Sequence, residues 1–133
     1  MEKSLVLIKP DAVERNIIGN IINFYEENSL KVTDMKMISA SREVAEKHYS
    51  NIADKPFFGE VLDYITRSPI VALIVEGENA ISKVRYINGP TNPEQAPKNT
   101  IRGIYGKDVQ ENSVHASDSM ENANREIIIW FGK

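Results

Sequence analysis

Two short runs, Leu5-Val6-Leu7-Ile8 and Ile70-Val71-Ala72-Leu73-Ile74-Val75, are apolar without a break. A strand with one face in water alternates apolar and polar residues; one apolar at every position has both faces covered. Two such runs in one chain predict a small sheet with helices on both sides. Pro10 closes the first run and biases Lys9 towards extended geometry. Lys9 therefore stands where a strand hands over to a loop, a usual address for a functional side chain in α/β folds.

The segments between these runs carry helical and strand periodicities. Asp11-Ala12-Val13-Glu14 has capping-box spacing for a short helical turn. Ile17, Ile18, Ile21, Ile22 and Tyr25 make an apolar stripe at helical period that ends near Asn28-Ser29. Leu30 and Val32, then Met35 and Met37, alternate as a strand, with a phase slip at Thr33-Asp34 that a bulge would absorb. Ser41 caps a helix through Val44, Ala45 and His48, and Asp54-Lys55-Pro56 breaks the chain. Phe57 to Ile65 reads as a helix with Phe58, Val61, Leu62 and Ile65 inward. After the second apolar run, Gly77 and Asn79 open a helix that buries Ala80, Ile81, Val84 and Ile87, and Gly89-Pro90 stops it.

From Gly89 to about Asn112 the pattern fades. This stretch holds three of the six prolines and three of the seven glycines. A loop this long inside a compact domain is disordered or functional, and its content of Arg102 and its approach to His115 favour function. Asp118 or Ser119 caps a last helix through Ala123 and Ile127. The ending Ile127–Phe131 suits the end of that helix or a strand. The order is β-α-β-α-α-β-α-loop-α, with room for a short strand just before His115.

Composition narrows the function. With no cysteine, disulfides, thiolate catalysis and zinc–thiolate sites are excluded. A net charge of −3 gives no basic field for nucleic acid or an anionic membrane surface. No segment approaches the roughly 20 apolar residues of a membrane span. The expectation is one soluble cytoplasmic domain over residues 1–133.

Of the two histidines, His48 falls on a helix beside Tyr49 and reads as structural. His115 sits in the polar run Asn112-Ser113-Val114-His115-Ala116-Ser117-Asp118-Ser119 at the entrance to a helix, where unpaired N–H groups attract anions. A neutral imidazole is a competent phosphoryl nucleophile, whereas serine needs a separate base. Local chemistry alone leaves His115 open between structure and function. The usual glycine loops for phosphate are absent. Any nucleotide must therefore be gripped by side chains, and Lys9, Arg85, Arg102, Thr91 and Tyr49 are available. Phe57-Phe58 packs in the core by default, with one ring a candidate for a base.

Lys9-Pro10-Asp11-Ala12-Val13-x-Arg15, His48-Tyr49, Lys55-Pro56-Phe57-Phe58, Thr91-Asn92-Pro93, Thr100-Ile101-Arg102-Gly103 and Asn112-x-x-His115-x-Ser117-Asp118-Ser119 together resemble the nucleoside diphosphate kinases, in order and over nearly the whole chain. The resemblance implies that His115 takes the γ-phosphate of a nucleoside triphosphate and passes it to a diphosphate in a ping-pong cycle. It implies that Glu126 holds the other imidazole nitrogen and that Ser117 supports Glu126. Lys9, Tyr49, Arg85, Thr91, Arg102 and Asn112 match the residues that hold phosphates and ribose. Phe57 matches the aromatic under the base, with Val61 and Val109 in the same slot. Magnesium (Mg2+) would arrive on the nucleotide phosphates with no protein cage.

The implied fold is an α+β ferredoxin-like sandwich, a four-stranded antiparallel sheet covered by helices. The implied assembly is a homo-oligomer, hexamer or tetramer. Ala116 departs from the family pattern, standing where glycine usually follows the nucleophile. Two rival readings are an inactive relative that serves as a binding or scaffold protein, and an RNA-binding module on the same topology. The first would need damage at the matched positions, which are all intact. The second would need aromatics on a central strand and a basic face, and neither is present.

Overall fold

The computed structural model describes residues 1–133. Four strands form one sheet in the order β2-β3-β1-β4: β1 (Glu2–Ile8), β2 (Lys31–Ile38), β3 (Ile70–Gly77) and β4 (Val114–Ala116). Every pairing is antiparallel. Seven α-helices surround it: α1 (Pro10–Glu14), α2 (Ile18–Glu27), α3 (Arg42–His48), α4 (Phe58–Ile65), α5 (Ala80–Asn88), α6 (Ile101–Tyr105) and α7 (Met120–Phe131). Two central strands flanked by two edge strands, with helices on both faces, make a ferredoxin-like α+β sandwich.

The unbroken apolar runs are the two central strands, and the two cores explain them. Val6, Ile8, Val71, Leu73 and Val75 point to one face, where Ile21 and Tyr25 of α2 and Val84 and Ile87 of α5 cover them. Leu5, Leu7, Ile70, Ala72 and Ile74 point to the other, beneath Ala45 of α3, Leu62 and Ile65 of α4, and Ile127 and Trp130 of α7. Successive side chains on a strand face opposite ways, so each residue of these strands meets a core. β2 lies at an edge and alternates in exposure, but past Thr33 the phase is the reverse of the one expected: Met35 and Met37 are exposed, and Asp34 and Lys36 are half-buried. Its register shifts between Val32 and Asp34, where the phase slip predicted a bulge.

Several local expectations change. The first helix starts at Pro10, which needs no N–H at that position. Asp11 is therefore inside the helix and caps nothing; it is buried and accepts a hydrogen bond from the Tyr64 hydroxyl. The long segment after Gly89 contains a 3-10 turn at Pro93–Gln95 and the five-residue helix α6, capped by Thr100 Oγ1, which accepts from Gly103 N–H at 3.1 Å. His115 lies within β4, paired with Leu7 of β1, and not at a helix entrance. Ser119 caps α7, and the ambiguous ending completes that helix through Phe131.

Candidate active site

β4 is only three residues long, but its position beside β1 sets the site. Lys9 follows β1 directly, and its N–H donates to Ser113 O at 2.9 Å, tying the end of β1 to the start of β4. His115 is thereby fixed at the sheet edge, with its side chain 23% exposed. Helix α7 packs back across β1 and brings Glu126 under the imidazole. Glu126 Oε1 lies 3.1 Å from His115 Nε2. Ser117 Oγ donates to the same carboxylate oxygen at 2.7 Å and accepts from Leu5 N–H at 3.1 Å. Ser117 and Glu126 are both buried.

A carboxylate only accepts, so the proton between the two groups sits on Nε2. The neutral imidazole then carries its lone pair on Nδ1. The buried carboxylate fixes the tautomer and offsets positive charge that grows on the ring if Nδ1 forms a bond.

Cations and donors surround a cavity of about 440 Å3 in front of His115, among them Arg85, Arg102 and Thr91, and Tyr49 and His48 also line it. Arg102 is held by two carbonyls, donating from its terminal nitrogens to Gly89 O and Val114 O at 2.7 Å each. Burial lowers its pKa from the ordinary arginine value, and Arg85 adds to that effect. Lys9 Nζ donates to Asn112 Oδ1 at 2.9 Å. Asn112 in turn donates to Thr91 O at 3.0 Å and Val109 O at 3.2 Å, linking three segments of the wall. Burial, followed by the charge of Arg102, lowers the Lys9 pKa to about 8. Burial also raises the Tyr49 phenol above its usual range, and the Glu126 charge adds to this.

A second cleft of about 440 Å3 adjoins the first, with Tyr49 and Ile52 lining both. Its walls are mainly apolar and include Phe57, Val61 and Val109, with Lys9 at its border. Phe57 is 46% exposed, so its ring lies outside the core where default packing had put it. Phe58 is the ring that packs against the core. Of the residues singled out in the sequence, His115, Glu126, Tyr49, Arg85, Arg102 and Thr91 share the first cavity, and Lys9, Tyr49, Phe57, Val61 and Val109 share the second. Asn112 and Ser117 lie behind the walls, each bonded to a group in front of it.

Several wall residues were not anticipated there. Asp118 lines the cavity one residue before the α7 cap, Asn88 lines it at the end of α5, and His48 stands beside His115 with ring centroids 4.5 Å apart. The helical stripe indicated only that His48 faces inward. What it meets depends on Trp130, 82 residues away, and no local pattern carries that.

His48, His115 and Glu126 place potential metal-ligand atoms within 4.8 Å of one another. The donor set does not fit a cation. Trp130 Nε1–H donates to His48 Nδ1 at 2.9 Å, so a neutral His48 carries its proton on Nε2 and has no free lone pair. Glu126 Oε1 is already engaged by His115 and Ser117.

An α+β sandwich with a carboxylate-held histidine at a sheet edge, facing clustered cations and an aromatic-lined cleft, defines a class of protein suited to phosphoryl chemistry on an aromatic-bearing substrate. The profile described as "Nucleoside diphosphate kinase" matches residues 2–133, and the chain belongs to that family. It is 58% identical over 133 residues to a nucleoside diphosphate kinase of Clostridium perfringens, covering 100% of this chain and 93% of that protein. It is 50% identical over 131 residues to the one from Archaeoglobus fulgidus, covering 98% and 87%. The crystal structure of the apo enzyme from Encephalitozoon cuniculi superposes with a TM-score of 0.98 at 40% identity, covering 100% of this chain and 90% of that one.

Proposed function

We propose that residues 1–133 act as one domain and that the chain is a nucleoside diphosphate kinase working through a phosphorylated His115. The observation that carries this reading is the pairing of His115 Nε2 with Glu126 at 3.1 Å, which leaves Nδ1 as the free nucleophilic atom. Nδ1 attacks the γ-phosphorus of a nucleoside triphosphate. A P–N bond forms, the P–O bond to the β-phosphate breaks, and the diphosphate leaves with the electron pair. An acceptor diphosphate then attacks the same phosphorus through a terminal oxygen, and the P–N bond breaks.

The wall residues divide this work. Lys9, Arg85 and Arg102 face charge that spreads over the transferring oxygens, where positioned cations are most effective. Asn112 orients Lys9, while Thr91 and Tyr49 offer hydroxyls to phosphate or ribose. Phe57, with Val61 and Val109, forms a face on which any base stacks. A divalent cation, magnesium in this reading, neutralises phosphate charge when bound on the nucleotide. With Glu126 engaged, Asp118 is the one carboxylate left on the cavity wall, which supports a cation that arrives with its phosphates.

No helix is long and apolar enough to cross a membrane, and a cytoplasmic location belongs to the same proposal. So does assembly as a homo-oligomer, hexamer or tetramer; Met35 and Met37, each 56% exposed on edge strand β2, offer apolar surface for it.

The test is incubation with γ-labelled ATP followed by removal of nucleotide. The label should be lost in acid, kept in base, and transferred to an added diphosphate. An acid-stable label, or no label on folded protein, would end the phosphohistidine reading.

A further inference from the structure

Four buried side-chain nitrogen or oxygen atoms have no hydrogen-bond partner among the protein's own groups: Ser4 Oγ, His48 Nε2, Asn88 Nδ2 and Arg102 Nε. Three of the four belong to residues that line the cavity in front of His115. Leaving a buried donor unmet destabilises a fold. Its concentration at one cavity marks a place where a bound group supplies the missing acceptors.

His48 is the most informative of the three, because its protonation follows from its neighbour. Indole Nε1–H donates and never accepts, and it reaches His48 Nδ1 at 2.9 Å. Nδ1 therefore holds a lone pair. His48 is 2% exposed, and burial above all, with the positive charges of Arg125 and Lys9 adding to it, keeps its pKa well below the usual value. A neutral ring with a lone pair on Nδ1 carries its hydrogen on Nε2, the atom left without a partner.

We infer that His48 is a further catalytic residue of the transfer site: a neutral Nε2–H donor, fixed by Trp130, that hydrogen-bonds an oxygen of the phosphoryl group while His115 carries it. This rests on the phosphohistidine reading above. The two rings meet edge to face with centroids 4.5 Å apart and an interplanar angle of 79°, so His48 is in contact with the ring that carries the phosphoryl group in this reading. Helix α7 organises both rings. Glu126 and Trp130 are one turn apart on its buried side, and one grips His115 while the other grips His48. The donor adds no charge to a ring that turns cationic as its P–N bond forms, and it complements the charged Lys9 and Arg102.

Two measurements decide the matter, with wild-type labelling by γ-labelled ATP as the control. The first is 1H–15N NMR of the full chain carrying 15N-histidine, at neutral pH, before and after phosphorylation. His48 should be protonated on Nε2 in both states, and its Nε2–H resonance should move downfield when the phosphoryl group is present. Protonation on Nδ1, or a resonance unmoved by phosphorylation, overturns the inference. The second compares His48→Gln, which keeps an N–H donor, with His48→Phe, which keeps only a ring.

On the scale of a lost transition-state donor, His48→Phe should lower kcat about 100- to 1000-fold, with little change in KM and a shorter-lived phosphoenzyme. His48→Gln should recover most of that loss. Equal losses in the two variants, or wild-type kcat in folded His48→Phe, refute a donor role. Failure of the wild-type protein to take up label instead removes the phosphohistidine reading itself.

Discussion

The two histidines of this chain stand side by side and are built for opposite tasks. Both are Nε2-protonated by the company they keep, yet they leave different atoms unengaged. His115 gives its Nε2–H to Glu126 and leaves a lone pair on Nδ1. His48 receives an N–H from Trp130 on Nδ1 and leaves a donor on Nε2. The residue type is the same; the partner on the far side of the ring decides whether it offers an electron pair or a hydrogen. A helix that places an acceptor and a donor one turn apart sets both.

The comparison is sharpest where the lone pair is removed. His115→Ala should fold with a nearly unchanged Tm, since His115 is part-exposed and bonded to one side chain. It should lose transfer by about 10^4-fold or more, the scale of a deleted nucleophile. Single-turnover labelling and a melting curve check both halves. Transfer at the wild-type rate would move the chemistry away from this ring.

Glu126→Gln tests the tautomer without emptying the space. A glutamine can present N–H to Nε2, which drives the imidazole proton to Nδ1 and blocks the nucleophile. A wrong tautomer of this kind costs about 10^3- to 10^4-fold in other histidine–carboxylate sites. The loss should fall on kcat, and 15N shifts should show Nδ1 protonated. A variant with the wild-type tautomer and rate would reduce Glu126 to packing. Ser117→Ala should act in the same direction and less strongly, about 30-fold, because it removes one hydrogen bond to a buried charge.

How much of this arrangement the sequence announces varies with the range of the contacts. The two central strands are legible because both cores act on every residue of Leu5–Ile8 and Ile70–Val75. β4 is not, because three residues paired to a single neighbour leave no periodicity. α6 is obscured by its five-residue length and by Gly103 within it. Asp11 looked like a local cap because spacing shows only local partners, while its actual partner, Tyr64, lies 53 residues away. The residues of the candidate site were found through family resemblance. Their contacts were not legible, since Glu126 sits 11 residues from His115 and meets it only because α7 folds back over β1. His48 reads as structural from its helix alone; in the fold it is buried and also lines the cavity.

The contrast between the two histidines also bears on pH dependence. His48 stays neutral from about pH 7 upward because burial holds its pKa well below the usual value, so it supplies no alkaline limb. Lys9 does, with a pKa of about 8 in the free protein. Its protonated form attracts phosphate, so nucleotide affinity should weaken by less than about tenfold from pH 7 to 9 as that charge is lost. Bound phosphate favours the ammonium, so saturating nucleotide should move the midpoint upward.

The linkage to stability runs the other way. Because the folded pKa lies below the ordinary 10.5, the unfolded chain holds more protons between about pH 8 and 10.5. The Lys9 contribution to stability therefore rises through that window. Lys9→Arg keeps a charge throughout and should flatten the KM profile between pH 7 and 9. If the profile stays unchanged in that variant, the titrating group is elsewhere in the site.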